Sequence, residues 1–285
     1  MTTVAAPTSR FVNVNGLNLH YLDWGNPTAP AIVCVHGLTA HAHAFDGFAR
    51  RCMDRFHVIS VDVRGRGDSD WAADGVYTMP AYAADLEAVI DALGLQRFIL
   101  VGTSMGGRIS MHYAERHAGR LTALVLNDIG PDSEAGSDRI TAVGASRPQD
   151  FASLDEAIAY RARTLPAMAK ASAEAQREQA FYALREGANG RWTWKHDPAI
   201  DQQRARDGAQ GYPHLWQVLA GLQCPTLLLW GSISDVLSEG QARKIIATLP
   251  NGVLATVPGV GHAPTLNEPA AAEALERFLA PLAAK

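Results

Sequence analysis

The sequence is poor in cysteine and has no long apolar run. Its three cysteines, Cys34, Cys52 and Cys224, lie far apart and form neither a C-x-x-C pair nor a cluster with histidine. We therefore expect reduced thiols, no disulfide framework and no zinc site. The first residues, MTTVAAPTSR, lack the apolar segment of a secretory signal. No stretch approaches the roughly 18 apolar residues of a membrane span. These absences predict a cytoplasmic protein without a membrane partner.

Strong charge of one sign is also missing. The chain carries 25 lysines and arginines against 29 aspartates and glutamates, which gives a net charge of −4. Without a basic stripe, no surface would neutralise the phosphates of a nucleic acid, and we expect no such partner. A hydrophobic fraction of 47% over 285 residues supplies enough material for a large core. The length suits one domain, with or without an inserted lobe.

What the sequence does contain is a series of short apolar runs. Residues 11–25 alternate apolar and polar side chains around Asn15-Gly16, which is typical of a β-hairpin. The later runs are continuous rather than alternating, as in strands of a parallel sheet that are buried on both faces. They occupy residues 31–35, 57–63, 98–101, 123–127, 226–230 and 253–257.

Helical patterns separate these runs. Leu86, Val89 and Ile90 recur at helical spacing, and further helices begin near Ser238 and Pro269. Strands that alternate with helices predict an α/β fold with a mostly parallel, doubly wound sheet.

The alternation stops between residues 132 and 219. This stretch has no strand-like run; it contains a capping box at residues 153–156 and a polar helical pattern over residues 172–186. We interpret it as a helical cap inserted between two strands. The predicted organisation is a first part of the core at residues 1–131, the cap at 132–219 and a second part of the core at 220–285.

Residues 97–117 carry the strongest catalytic signal. An apolar strand leads into Gly102-Thr103-Ser104-Met105-Gly106, and a helical pattern follows. Glycines two residues before and after the serine permit a sharp turn that lifts its hydroxyl above the sheet. The first amides of the helix favour negative charge beside it. The pattern predicts that Ser104 is a nucleophile rather than part of a simple tight turn.

A serine hydroxyl needs a base that titrates near neutrality, which is the property of histidine. His262 follows the last predicted strand, in Val257-Pro258-Gly259-Val260-Gly261-His262, and precedes the last predicted helix. The chain has ten histidines, most of them expected to be structural. The place of His262 fits the chain order of serine, acid and histidine at a nucleophile elbow, and we predict that it is the base.

Four motifs together resemble the α/β-hydrolase superfamily. They are Val35-His36-Gly37-Leu38, the segment from Asp62 to Ser69, the turn at Ser104, and Gly261-His262. The resemblance covers residues 11–131 and 220–282. It implies an α/β-hydrolase fold and an oxyanion hole formed by the backbone amides of Leu38 and Met105. It implies no cofactor and no metal.

The acid of the triad is ambiguous. The family usually places it three residues after the glycine that ends the strand at 226–230, and here that position is Ser234, with Asp235 one residue later. Asp128 follows the preceding strand, and some members, including acetamidomethylene-succinate-type hydrolases, are similar in carrying the acid there. The sequence favours Asp128 as the catalytic acid and leaves Asp235 as the alternative.

Candidates for substrate binding come from two segments. Arg191, Trp192 and Trp194 lie in the predicted cap, and His41 and Phe45 follow the oxyanion segment. Aromatic side chains in these places can line an apolar pocket, and an arginine can bind a carboxylate. The alternative is that the tryptophans form the cap's own small core and that Arg191 is solvated.

These residues predict a serine hydrolase that cleaves a small carboxylic ester or lactone through an acyl-enzyme. The alternatives are a hydrolase of C–C bonds in vinylogous diketones, an amidase, and a small-molecule receptor that uses the same fold. The expected partner is a small-molecule substrate. The sequence does not distinguish a monomer from a homodimer.

Overall fold

The computed structural model describes residues 6–134, 136–164, 169, 171–207 and 210–283. The first five residues of MTTVAAPTSR therefore lie outside the described residues. The centre of the molecule is an eight-stranded sheet. Its strands are β1 (Thr8–Val14), β2 (Leu17–Asp23), β3 (Ala31–Val35), β4 (His57–Val61), β5 (Phe98–Thr103), β6 (Leu121–Asn127), β10 (Thr226–Gly231) and β11 (Gly252–Val257). Their spatial order is β1-β2-β4-β3-β5-β6-β10-β11.

The sheet is parallel from β4 to β11, as the continuous apolar runs predict. Strand β3 is buried along its whole length because both faces are covered. The exceptions are β1 and β2, which form an antiparallel hairpin around Asn15 and Gly16, both at positive φ. Strand β11 lies at the other edge, and its Val253 is exposed. The predicted α/β-hydrolase sheet is confirmed.

Helices cover both faces of the sheet. One face packs against α2 (Met79–Ala92), α3 (Met105–His117), α8 (Leu215–Gly221) and α9 (Glu239–Thr248). The other face packs against α1 (Asp46–Cys52) and α10 (Pro269–Leu279). Short 3₁₀ helices occupy Ala42–Phe45, Ala118–Arg120 and Ala280–Leu282. Within the described part of the chain, no helix combines the length and the apolarity that a membrane crossing requires.

Among the residues described between β6 and α8, the chain forms four helices and a second sheet. The helices are α4 (Gly136–Ala145), α5 (Leu154–Thr164), α6 (Ala173–Ala183) and α7 (Pro198–Asp207). The sheet consists of β7 (Asp150–Phe151), β8 (Leu184–Glu186) and β9 (Trp192–Trp194), in the antiparallel order β7-β9-β8. This segment, called the cap below, has its own core, to which Phe151, Leu154, Ala157, Ala180, Ala183 and Leu184 contribute.

The three strands of the cap correct the expectation that residues 132–219 contain only helices. The polar helix predicted over residues 172–186 ends at Ala183, and its last three residues form β8 instead. Strands of two or three residues are too short to show a periodic pattern, and their pairing joins segments that are distant in the chain. Helix α8 spans the predicted boundary at 219, and its Leu215 and Leu219 pack in the main core.

The cap is anchored to the loop that follows β4. The amide of Gly67 donates to the carbonyl of Lys195 at 2.9 Å, and the amide of Asp197 donates to the carbonyl of Gly65 at 3.0 Å. On the other side, the imidazole of His43 stacks on the ring of Tyr182, with 3.5 Å between the ring centroids. These contacts hold the cap over the loops at the carboxyl ends of β3 and β4.

The loop itself is organised around the buried carboxylate of Asp62. It accepts hydrogen bonds from the amides of Ala42 at 2.6 Å and Asp68 at 3.1 Å, and it lies 2.7 Å from Nδ1 of His20. Burial opposes the charged form of Asp62, but the contact with His20 and the nearby imidazole of His36 outweigh it and lower the pKa of this carboxyl below its ordinary value. The carboxylate therefore fixes the loop.

Gly67 makes this packing possible. Its φ is +55°, and a Cβ atom at this position would lie 2.2 Å from Cγ of Asp62. Gly75 has a similar φ of +67°, but a Cβ atom there would meet no atom within 4 Å. An alanine at either position would have a strained backbone because φ is positive. Of the two positions, only position 67 would add a steric clash.

We expect Gly75→Ala to lower the free energy of unfolding by about 1 kcal/mol, which is the cost of a left-handed alanine. Gly67→Ala should lower it by at least about 3 kcal/mol because the new methyl group displaces the Asp62 carboxylate from its donors. Urea unfolding of both variants and the unaltered protein measures the difference. Equal losses would contradict the role assigned to the close approach of Gly67.

Candidate active site

Ser104 lies at the junction between β5 and α3 in a strained backbone conformation. Its φ is 53° and its ψ is −117°, and helix α3 begins at the next residue. Two glycines permit this bend. A Cβ atom on Gly102 would lie 2.6 Å from the carbonyl oxygen of Gly106, and a Cβ atom on Gly106 would lie 2.0 Å from the carbonyl oxygen of Val35. Larger residues at either position would force the bend open.

The imidazole of His262 bridges Ser104 and Asp128. Its Nε2 lies 2.7 Å from Oγ of Ser104, and its Nδ1 lies 2.8 Å from Oδ2 of Asp128. The three residues follow β5, β11 and β6, so they meet at the carboxyl edge of the sheet. A carboxylate beside Nδ1 favours the tautomer that carries the proton on this nitrogen. Nε2 is then free to accept the proton of the serine hydroxyl.

The carboxylate of Asp128 is fully buried and is held from several directions. Its Oδ1 accepts a hydrogen bond from the amide of Gly231 at 2.9 Å, and its Oδ2 accepts one from the hydroxyl of Ser234 at 2.6 Å. The backbone of Asp128 has a φ of 57°, and its amide donates to the carbonyl of Leu229 at 2.8 Å. These contacts offset the cost of burying the charge and aim the carboxylate at His262.

Asp235, the alternative acid, does not reach the imidazole. Its carboxylate forms an ion pair with Arg139, at 2.6 and 3.1 Å, on the surface. The residue before it, Ser234, stands where the family usually has its acid, and its hydroxyl donates to Asp128. Ser234 was not predicted as a site residue. The signal that could have found it is a short hydroxyl side chain in the place where an acid is expected.

The two predicted oxyanion amides lie on either side of Ser104. Met105 is the first residue of α3, and Leu38 follows Gly37, whose Cβ position would be 3.3 Å from Cβ of Ser104. The carbonyl of Leu38 accepts a hydrogen bond from Nε of Arg66 at 2.6 Å, which fixes this loop. Neither amide donates to another described residue, so both are available to a ligand.

His41 and Trp194 line a small cavity where the cap meets the segment Thr39–His41. The other predicted contacts lie elsewhere. Phe45 is 2% exposed and packs in the core cluster on the α1 side of the sheet, so its prediction as a pocket residue is corrected. The 3₁₀ helix over Ala42–Phe45 directs this ring into the core.

The three residues predicted in the cap also lie in different surroundings. The guanidinium of Arg191 is largely exposed and pairs with Asp150 at 2.5 Å, so it does not face the cavity. Trp192 packs against the cap core. Trp194 packs there as well, but its Nε1 donates to the carbonyl of Pro148 at 2.8 Å and one side of the ring faces the cavity. Of these three predicted residues, Trp194 is the one that lines the cavity.

Two groups of side chains have the spacing of metal ligands among the residues that the structure describes. One contains His20, Asp62 and Asp68 of the loop network, and the other contains His112, Glu115 and His214. Neither group includes Ser104, His262 or Asp128.

Known proteins resemble this chain over most of its length. The family model of the alpha/beta hydrolase fold matches residues 30–269. A 3-hydroxybutyrate-oligomer hydrolase from Cupriavidus necator is 32% identical over 281 residues, with 93% of this chain and 95% of that protein covered. The crystal structure of an α/β hydrolase from Novosphingobium aromaticivorans has a TM-score of 0.84 and 34% identity, covering 97% of this chain and 99% of the other.

The structure of an E-2-(acetamidomethylene)succinate hydrolase is similar as well. Its TM-score is 0.82 at 26% identity, with 96% of this chain and 98% of the other covered. The sheet order, the bend at Ser104, the extent of the family match and the similarity to whole hydrolases lead to one conclusion. The chain belongs to the α/β-hydrolase fold family and is a hydrolytic enzyme.

Proposed function

We propose that this enzyme cleaves small carboxylic esters, including lactones, with Ser104 as the nucleophile, His262 as the general base and Asp128 as the orienting acid. The observation that carries the proposal is the unbroken series of contacts from Oγ of Ser104 through the imidazole to the Asp128 carboxylate, at 2.7 and 2.8 Å. We further propose that residues 132–219 cover this site as a cap.

The chemistry would proceed in two halves. Oγ of Ser104 attacks the ester carbonyl carbon while Nε2 of His262 takes the hydroxyl proton. The negative charge that develops on the carbonyl oxygen is stabilised by the amides of Leu38 and Met105. The imidazolium then gives its proton to the departing alkoxide, and an acyl-enzyme remains. Water, deprotonated by His262, hydrolyses that acyl-enzyme and restores the serine.

The similarity to the hydrolase from Cupriavidus necator favours an ester bond over an amide or a C–C bond as the substrate of this enzyme. The relative from Cupriavidus necator is named for hydrolysis of an oligomer of 3-hydroxybutyrate. The units of such an oligomer are joined through ester bonds between a hydroxyl and a carboxyl group. The elbow residue of this chain, a serine, suits the acyl-enzyme that ester cleavage requires.

Replacing Ser104 by alanine removes the nucleophile, and we expect kcat to fall by about 10⁴-fold or more on any ester that the enzyme turns over. The measurement is a panel of 4-nitrophenyl esters, lactones, anilides and vinylogous diketones under steady-state conditions. Thr28→Ala, which removes an exposed hydroxyl group in the turn before β3, is the control and should retain full activity. Turnover of the anilides or diketones in preference to every ester would overturn the ester assignment.

The two candidate acids give a matched pair of variants, since each substitution removes one negative charge. Asp128→Asn should lower kcat by about 10⁴-fold because the amide no longer holds the required imidazole tautomer. Asp235→Asn breaks only a surface ion pair, so we expect less than about a twofold change, consistent with the small value of such pairs. Stopped-flow and steady-state kinetics on one ester would measure both. A large loss in Asp235→Asn with an active Asp128→Asn would reverse the assignment.

Ser234 provides a graded test of the same arrangement. Ser234→Ala removes one hydrogen bond to the Asp128 carboxylate, worth about 1.5–3 kcal/mol when the acceptor is charged. We expect kcat/KM to fall by about tenfold or somewhat more, and Ser234→Thr to restore most of the activity because it keeps the hydroxyl. An equal loss in both variants, with intact folding by circular dichroism, would show that the hydroxyl does not position Asp128.

A further inference from the structure

Arg66 and Arg147 line the cavity between the cap and the segment Thr39–His41, and Arg161 lies beside Trp194 of its wall. Arg66 and Arg161 are 1% and 7% exposed, and Arg147 is partly buried. Among the described residues, no carboxylate forms a salt bridge with any of the three guanidinium groups. Nη2 of Arg66 and Nε of Arg161 are buried and have no hydrogen-bond acceptor. Burying a guanidinium in this way is costly unless a counter-charge arrives.

Two other buried arginines, Arg64 and Arg108, are fully partnered by described residues. Arg64 donates from Nε and Nη2 to the carboxylate of Asp85, at 2.5 and 2.7 Å. Arg108 donates to the carbonyls of Gly130, Gln210 and Asp132. Arg204 also lacks a carboxylate partner among the described residues, but its Nη2 donates to the hydroxyl of Thr141 at 2.9 Å. Arg147 and Arg161 differ from these arginines because their guanidinium groups donate to no described residue.

Arg147 and Arg161 are arranged around one aromatic ring. Their guanidinium carbons lie 4.7 and 5.9 Å from the ring centroid of Trp194, which holds them by cation–π attraction. Trp194 is itself fixed by the hydrogen bond of its Nε1 to Pro148. Neither guanidinium donates to a described residue, so their nitrogens remain available for a ligand. Side chains of Arg147, Trp194 and His41 contribute to the cavity wall.

The cavity keeps a positive charge at neutral pH. Burial raises the energy of a cation, and together with the like charge of Arg147 it lowers the pKa of Arg161 to about 10, so this group stays protonated. Burial lowers the pKa of both His41 and His196 to about 3, so these imidazoles are neutral. The nearby acid Asp201 faces His196 at 2.9 Å. No described carboxylate forms a salt bridge with Arg161.

The cavity adjoins the proposed catalytic machinery. Its wall begins at Thr39, the residue after Leu38, and includes Arg66, whose Nε holds the Leu38 carbonyl at 2.6 Å. A group bound there would belong to the same small molecule whose carbonyl oxygen meets the Leu38 amide. This step rests on the function proposed above.

We propose that Arg147 and Arg161 bind a carboxylate of the substrate, so that the preferred substrates are esters that carry a second, ionised carboxyl group. The planar guanidinium of arginine matches a carboxylate with two parallel hydrogen bonds. The bound anion supplies the counter-charge that the cavity lacks. Trp194 packs against the chain that links the carboxylate to the ester.

The first test compares isosteric substrates. The monoethyl esters of succinic, glutaric and adipic acid carry the carboxylate at increasing distance, and each has a neutral counterpart with a carboxamide in its place. Ethanol release gives kcat/KM for both. For the best substrate, we expect kcat/KM of the carboxylate-bearing ester to exceed that of its carboxamide counterpart by about 10- to 100-fold, which is the effect of losing a hydrogen bond to a charged group. Arg147→Met and Arg161→Met should abolish this preference and change turnover of the carboxamide esters little.

Arg163→Met is the matched control, because Arg163 lies on the same helix with an exposed side chain and its substitution changes the net charge equally. It should keep the preference for acids. A preference in the unaltered enzyme that Arg163→Met also loses would indicate general electrostatic attraction and would overturn the subsite. Equal turnover of the carboxylate-bearing and carboxamide esters by the unaltered enzyme would also overturn the subsite. That result would leave the proposed ester hydrolysis unaffected.

A second measurement does not depend on turnover. Glutarate, titrated calorimetrically into Ser104→Ala, should bind, and the double variant Ser104→Ala, Arg161→Met should bind it at least about tenfold more weakly. Inorganic phosphate is the comparison anion, and tighter binding of phosphate than of glutarate would overturn the carboxylate assignment. If no ester is hydrolysed at all, the proposed function fails and this titration still decides the subsite.

Thermal unfolding separates binding from a structural role. Arg161→Met keeps the aliphatic bulk and removes an unpaired buried charge, so the ligand-free variant should be at least as stable as the unaltered protein. An arginine that served the packing of the cap would instead give a clear loss of Tm on substitution. That loss, together with unchanged glutarate binding, would contradict the proposal.

Discussion

The buried carboxylate of Asp128 is the constraint on which the active-site geometry depends. A bare carboxylate at this depth would be strongly unfavourable. Two other parts of the chain stabilise it. The segment after β10 supplies the Gly231 amide and the Ser234 hydroxyl, and the segment after β11 supplies the imidazole of His262. These groups converge only if β6, β10 and β11 end at the same level. The observed register, in which Asn127 pairs with Leu229 and Gly231 with Val257, meets this condition.

The bend at Ser104 adds a second constraint on the same edge. Its backbone conformation is unfavourable for a serine, and the surrounding packing maintains it. The amide of Ser104 donates to the carbonyl of Asn127 at 3.0 Å, which connects Ser104 to the residue before Asp128. Asn127 in turn donates through its side chain to the carbonyl of Pro264, two residues after His262. The three segments are thus linked to one another by these hydrogen bonds as well as by the contacts of His262 with Ser104 and Asp128.

The buried charges of the molecule fall into two groups. Asp62 and the pair Arg64–Asp85 are neutralised within the fold, and they stiffen the loop that anchors the cap. Arg147 and Arg161 lie where the cap meets the core and form no salt bridge with a described carboxylate, although the charge of Asp201 favours the protonated form of Arg147. Unsatisfied polar groups are uncommon in protein interiors, and functional sites are where stability is most often given up. The contrast within one chain supports a ligand-binding role for the second group.

The sequence alone determined those features that depend on local pattern. Continuous apolar runs predicted the parallel strands, and glycines around Ser104 predicted the bend, because steric rules act over a few residues. The place of His262 after the last strand predicted it as the base, and the structure brings its imidazole within 2.7 Å of Oγ of Ser104. The three strands of the cap were missed, since Leu184 and Trp194 pair only through contacts between distant segments. Phe45 was wrongly assigned to the pocket because its direction depends on how a 3₁₀ turn packs on the sheet.

Only the tertiary structure separated Asp128 from Asp235. A shift of one residue at a strand end reverses the direction of a side chain, and no local pattern records which of two neighbouring strand ends faces the imidazole. The arginines of the cap illustrate the same limit more strongly. Arg161 resembles any other arginine of an amphipathic helix until its surroundings are known. Its chemistry is decided by the absence of a described counter-charge within reach, and that is a property of the folded arrangement.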